Sequence, residues 1–154
     1  MEKDGAKLFV PVKWSAELET GFPDVDDQHH TLVRLLNKAG AALNRSKPGL
    51  LEQLLQELIA YSQYHFETEE TLMRRYRYAE KAPFEAATHL NQHRSFTTRV
   101  HVMYDTLIED GELQPSELLD FLSNWLALHI RHTDQLLVHF VAQLPGWDRS
   151  NSPQ

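Results

Sequence analysis

The sequence predicts an all-α protein, an up-down-up-down four-helix bundle with an irregular N-terminal arm. Three observations carry that expectation. Four segments space their apolar residues by threes and fours, short breakers containing Pro or Gly separate them, and the period-two alternation of strands is nearly absent. Helices of roughly 20 to 29 residues joined by short connections place sequence neighbours antiparallel.

The arm covers residues 1–23 and includes Trp14. A first helix is expected from about Asp24 to Leu43, because Val25, His29, Leu32, Leu36, Ala39 and Leu43 recur at helical spacing before RSKPG ends it. The second is expected from Pro48, which a first helical turn accepts, to about Tyr76, burying Leu51, Leu54, Leu55 and Leu58. The third starts near Pro83 and carries Ala86, His89, His93, Phe96, Val100, Met103 and Leu107 before stopping at Asp110-Gly111. The fourth opens at Pro115, carries Leu118, Leu122, Trp125, His129 and Leu136, and ends before Pro145-Gly146. The bundle is thus expected to occupy residues 24–144, with 145–154 as a flexible tail.

A chain of 154 residues suits one domain, and 42% hydrophobic with 24% charged residues is ordinary for a soluble protein. No apolar run approaches the roughly 18 residues of a membrane span, and MEKDGAKLFV lacks a secretory apolar stretch. The expectation is a cytoplasmic protein with no membrane partner. A net charge of −7 argues against nonspecific binding to nucleic acid. Arg74, Arg75, Arg77 and Lys81 read as cations favoured near a helix C-terminus, ahead of a partner-docking patch. The absence of cysteine excludes disulfides, thiolate metal sites and thiol catalysis, so any metal site must use nitrogen and oxygen. There is no Gly-rich phosphate loop and no nucleophile with a base at recognisable spacing, and no enzyme activity is expected.

The stretch YHFETEETLM raises the functional question. His65 and Glu69 are four apart, on the helix face already occupied by Leu51 and Leu58, so both point inward. A buried ionised carboxylate is costly unless an opposite charge meets it. The other helices repeat the pattern: His29 on the first, His89 and His93 on the third, His129 on the fourth. Any one of these histidines is more simply a core or surface residue; the set together points to a metal. Asp134 lies five residues after His129, about 140° round an ideal helix. It serves the cluster either from a neighbouring stripe or through a local π-bulge.

WSAELETGFPDVDDQH, HFETEETLM, HLNQHRSF and WLALHIRHTD follow one another from Trp14 to Asp134. In content and order they resemble the motifs of bacterial hemerythrins, non-haem di-iron oxygen-binding proteins; myohemerythrin is itself an up-down-up-down bundle. The resemblance implies two iron ions, one held by His89, His93 and His129 and the other by His29 and His65. Glu69 and Asp134 would bridge them together with an oxo or hydroxo group. His29 is chosen over His30 because the family's histidine follows D-x-Q directly. One coordination position then stays open, on the His29/His65 iron.

Ferritin-like di-iron oxidases use four glutamates with Glu-x-x-His motifs. The imidazole-rich set here favours carrying O2 over cleaving it. The function implied is reversible O2 binding for storage, delivery or buffering; the alternative is an O2 or redox sensor signalling to a protein partner or to a further domain. A weak di-iron enzyme ranks third. Ala127 and Ile130 share Asp134's spacing and are expected to meet O2, with Trp125 and Phe66 beside them. Ala127 stands where the family more often has a bulkier aliphatic residue, which implies a roomier pocket. His30, His101, His132 and His139 match no motif and read as solvated, while Trp14, Trp125 and the tyrosines read as core or capping residues.

Overall fold

The computed structural model describes residues 8–110 and 113–147. The start of the expected arm, Gly111 of the expected helix stop and residues 148–154 of the expected tail lie outside the described residues.

The fold is an all-α bundle. Its helices are α1 (Pro23–Asn44), α2 (Pro48–Arg75), the single turn α3 (Tyr78–Lys81), α4 (Pro83–Asp105), α5 (Pro115–Leu128) and α6 (Asp134–Ala142). A π-helical turn, His129–Thr133, welds α5 and α6 into one rod, and another, Thr106–Asp110, prolongs α4. With that rod counted as one helix, four long helices stand in a ring: α1 packs on α2 and α5, and α4 on α2 and α5. None of the described helices is long and apolar enough to cross a membrane.

Proline opens all four long helices, at Pro23, Pro48, Pro83 and Pro115. Its missing N–H is one that a first turn leaves unbonded anyway, and its fixed φ suits the helix. Entry into α1 is fixed by Asp26, whose carboxylate accepts the Thr20 N–H and Oγ1–H, both at 2.8 Å, and the Gly21 N–H at 3.0 Å. Gly21 sits at φ 89°, a conformation that penalises a Cβ. The turn α3 was too short to show periodicity in the sequence. It follows Arg77, which takes the left-handed conformation at φ 56°.

The described part of the arm is a strap along α1. The Asn44 amide pairs with both the N–H and the carbonyl of Phe9 at 2.9 Å, and Asn37 does the same to Val12 at 2.8 and 2.9 Å. Phe9 lies so close over Gly40 that a Cβ there would collide with its ring. Farther along, a 3-10 turn (Ala16–Leu18) braces the π-turn of the rod, and Gln135 donates to the carbonyls of Glu17 and Glu19 at 3.2 and 3.0 Å.

The core has two apolar parts. One is built on Leu32, Leu36, Leu55, Leu58, Phe96, Val100, Leu118 and Leu122, the other on Phe22, Val25, Leu72, Tyr78, Ala86, Leu137 and Val141. The ligand-type residues fall between the two on every long helix. Two sequence expectations are corrected. Leu136 is 56% exposed and Leu137 is fully buried, because the π-turn inserts one residue and shifts the inward stripe by one position. Tyr64, expected as a core or capping residue, is 58% exposed, whereas Trp14 is half-buried as a cap stacked on His30 with ring centroids 3.6 Å apart.

Candidate metal centre

His29, His65, Glu69, His89, His93, His129 and Asp134 converge at the centre of the bundle, each no more than 3% exposed. α1 supplies His29, α2 supplies His65 and Glu69, α4 supplies His89 and His93, and the rod supplies His129 and Asp134. The sequence left open how Asp134 joins His129. The Asp134 N–H bonds to the His129 carbonyl, five residues back, closing a π-turn that stacks the two on one face.

The donor atoms form two groups, His89, His93, His129 and Glu69, and His29, His65, Glu69 and Asp134, each with its atoms within 4.8 Å of one another. All five imidazoles turn Nε2 inward. Glu69 Oε1 lies 3.0 to 3.5 Å from Nε2 of His93, His89 and His129, while its Oε2 lies 3.5 Å from His65. Asp134 Oδ1 lies 2.9 and 3.2 Å from His129 and His89, while its Oδ2 lies 2.7 and 3.3 Å from His29 and His65. Both carboxylates thus turn one oxygen to the three-histidine group and the other to the two-histidine group.

These groups do not satisfy one another. His29 Nε2 and His65 Nε2 are 3.1 Å apart, and those of His93 and His129 are 3.2 Å apart. Each pair sets lone pair against lone pair unless a proton or a cation lies between. Glu69 Oε2 and Asp134 Oδ1 are buried near imidazoles but out of line for hydrogen bonds. Burying polar atoms this way is expensive, and a set of neutral nitrogens and carboxylate oxygens is what first-row divalent metals accept. The residues fit a pair of such ions.

Electrostatics agree at two of the rings; at His129 burial favours the neutral form, but the Asp134 and Glu69 carboxyls beside it outweigh burial and raise its pKa. Burial, reinforced by the charge of His29, lowers the His65 pKa to about 4, and burial with the neighbouring His89 and His129 lowers that of His93 to about 2. Both rings stay unprotonated at neutral pH, as metal binding requires. Burial, together with the charge of Asp134, pushes Glu69 well above the ordinary carboxylate range. Burial works against ionisation of Asp134 too, but the His129 charge, the closeness of Glu69 and the hydrogen bond with His29 outweigh it and hold that carboxyl well below its usual value.

Outer partners orient the rings. The Gln28 carbonyl oxygen lies 2.7 Å from His65 Nδ1 while the Gln28 amide donates to Thr68 Oγ1 at 2.9 Å. Gln92 Oε1 lies 2.9 Å from His129 Nδ1 and accepts from Thr133 Oγ1 at 2.8 Å. Glu70 Oε2 lies 2.8 Å from His93 Nδ1. The sequence reading missed these three, yet each adjoins a ligand-type residue in the chain. About 100° round the helix, such a neighbour faces the adjacent helix.

The expected O2-pocket residues divide into two places. Phe66 stacks on His93 with ring centroids 4.0 Å apart and Trp125 on His129 at 4.4 Å, walling the three-histidine side. Ala127 and Ile130 line a separate cavity of about 10 Å³ with Leu32, Leu36 and Leu126, one helical turn beyond His29. His30, His101, His132 and His139 are exposed and outside the cluster.

Residues 20–141 match the family model described as the hemerythrin HHE cation binding domain. The chain is 34% identical over 122 residues to a bacteriohemerythrin of Pseudomonas aeruginosa, covering 79% of this chain and 75% of that one. It is 34% identical over 122 residues to that of Stenotrophomonas maltophilia, covering 79% and 76%. A hemerythrin mutant of known crystal structure superposes with a TM-score of 0.71 at 25% identity, over 81% of this chain and 92% of that one.

Proposed function

Because this chain belongs to the hemerythrin family, we propose that it binds O2 reversibly at a non-haem di-iron centre and serves to store, deliver or buffer the gas. His89, His93 and His129 would hold one iron and His29 and His65 the other, with Glu69 and Asp134 between them. The observation that carries this reading is the pair of carboxylates, each turned with one oxygen to either histidine group.

When bound, the iron pair supplies the two electrons that a reversible carrier lends to O2 and takes back. The rest belongs to the chain. Three histidines on one side against two on the other leave the His29/His65 side one protein donor short, which is where a small molecule has room. Burial of every donor keeps water off the ligating atoms, and Phe66 and Trp125 stack on two rings of the three-histidine side. The amides of Gln28 and Gln92 fix two rings, so that Nε2 points inward before any ion arrives.

Reconstitution with Fe(II) should load about two irons per chain. The anaerobic protein should then gain an absorption band on aeration and lose it when O2 is removed, over repeated cycles and without a reductant. A single stoichiometric metal, or a band that never reverses, would refute the reading. A sensor would in addition change shape with O2; the carrier role requires amide hydrogen exchange of the helices to be the same with and without the gas.

A further inference from the structure

The outer edges of the five imidazoles are not treated alike. His65 and His129 meet neutral amides, and His29 and His89 present an Nδ1 with no partner among the described residues. His93 alone meets a carboxylate, Glu70 Oε2, at 2.8 Å. A ring that ligates through Nε2 keeps its proton on Nδ1 and donates it outward, so what accepts that proton tunes the ligating nitrogen.

The setting explains why a carboxylate stands there. His93 and Glu70 both line an open cavity of about 310 Å³ with Phe66, Glu67 and Arg94. The Glu70 side chain is 30% exposed at that edge while His93 is 3% exposed behind it. Where a ring lies nearest to solvent, an amide competes with water on equal terms. An ionised acceptor makes a shorter and stronger bond.

We infer that Glu70 is a positioning residue that sets the donor strength of His93, holding its Nδ1–H and thereby favouring the oxidised state of the metal on the His89/His93/His129 side. The inference rests on the reading of His93 as a ligand. Glu70 touches no metal itself; it acts through the ring. The three-histidine side would then be the more easily oxidised of the two, and the exposed edge of Glu70 would link that preference to whatever enters the cavity.

Glu70→Gln tests this, because the amide still accepts from Nδ1 and leaves the ring in place. Iron content, Fe(II) affinity by chelator competition and the midpoint potential of the iron pair should be measured in the wild type, in Glu70→Gln and in Glu67→Gln. The last removes a charge from the same cavity without touching His93. Glu70→Gln should keep two irons, weaken Fe(II) binding at least about 10-fold, and shift the oxidised-to-reduced ratio about tenfold toward reduced, which is about 59 mV upward for one electron. Glu70→Ala, which also frees the ring, should move the potential further in the same direction. Less than a twofold change in that ratio in a two-iron Glu70→Gln protein overturns the inference and leaves the carrier reading standing. An equal shift in Glu67→Gln also overturns it, since the effect would then be that of any nearby charge. A wild type that binds no iron pair ends both readings together.

Discussion

Ala127 lines a cavity of about 10 Å³ that reaches Leu32, one turn beyond His29 on the same stripe of α1. That volume is at the lower edge of what one water needs, and water near the side proposed to bind the gas would speed irreversible oxidation of an iron pair. Ala127→Leu should fill the space and slow decay of the oxygenated absorption band. Overpacking against Ile130 would cost roughly 1–3 kcal/mol, so iron content and melting must be measured beside the decay at one pH and temperature. Equal or faster decay in a folded, two-iron variant would remove this role from Ala127. At this scale the five histidines and Glu69 were legible, because helical spacing put a polar side chain where only apolar ones belong; Asp134 stood out of register and entered through the motif resemblance. Gln28, Glu70 and Gln92 were not legible: a polar residue on a helix flank looks the same whether it faces water or a ring on the next helix.

The π-turn His129–Thr133 is the element on which the fourth helix depends. The sequence left it as one of two alternatives, since Leu136 and Leu137 are both apolar and their adjacency hid the change of register. In the structure five residues from His129 to Asp134 do what four do in a regular α-helix. The two spacings therefore face the same way, and changing the length of this turn should have opposite outcomes by sign. Deleting the exposed His132 should leave an ordinary α-helix with its downstream stripe of Leu137, Val138 and Val141 still inward, and a melting temperature within a few degrees of wild type. Inserting one alanine after His132 should turn Asp134 and all of α6 by about 100°, abolish two-iron loading and lower the melting temperature sharply. Iron analysis and circular dichroism on both variants decide it. Equal loss of iron and fold in the two would mean that the turn is needed for itself and not for phase.

For the molecule as a whole, the ligand cluster is a polar layer between two apolar ones, and the metal-free bundle must bury it unaided. Removing iron should lower the melting temperature, because binding free energy is folding free energy in such a site. The loss should also depend on pH. His65 and His93, at about 4 and about 2 in the fold, refuse protons that their unfolded counterparts accept below 6.5. Glu69 and Glu70 act the other way: burial raises both, so in the fold they keep protons that the unfolded chain releases above 4.5. Below about pH 4.5 those carboxyls hold protons in both states, while the two rings, and below 3.8 Asp134 as well, take up protons only on unfolding, so stability falls as pH falls. Melting of the metal-free protein across that window should show the decline; a midpoint that is flat or rises toward acid would contradict it.

The two carboxylates have one more consequence. Residues 23–75 form one hairpin and residues 83–142 another, joined through α3. The first hairpin contains both histidines of one group and the second all three of the other, yet Glu69 sends Oε1 across to the second and Asp134 sends Oδ2 back to the first. With ions bound as proposed, each half of the chain would complete the other's ion with a group it lends and keep the imidazoles for itself. Two irons held this way would be a reciprocal staple: neither hairpin could be pulled from its partner without stripping an oxygen donor from both metals at once, so the iron would serve the bundle as a removable cross-link between its two halves.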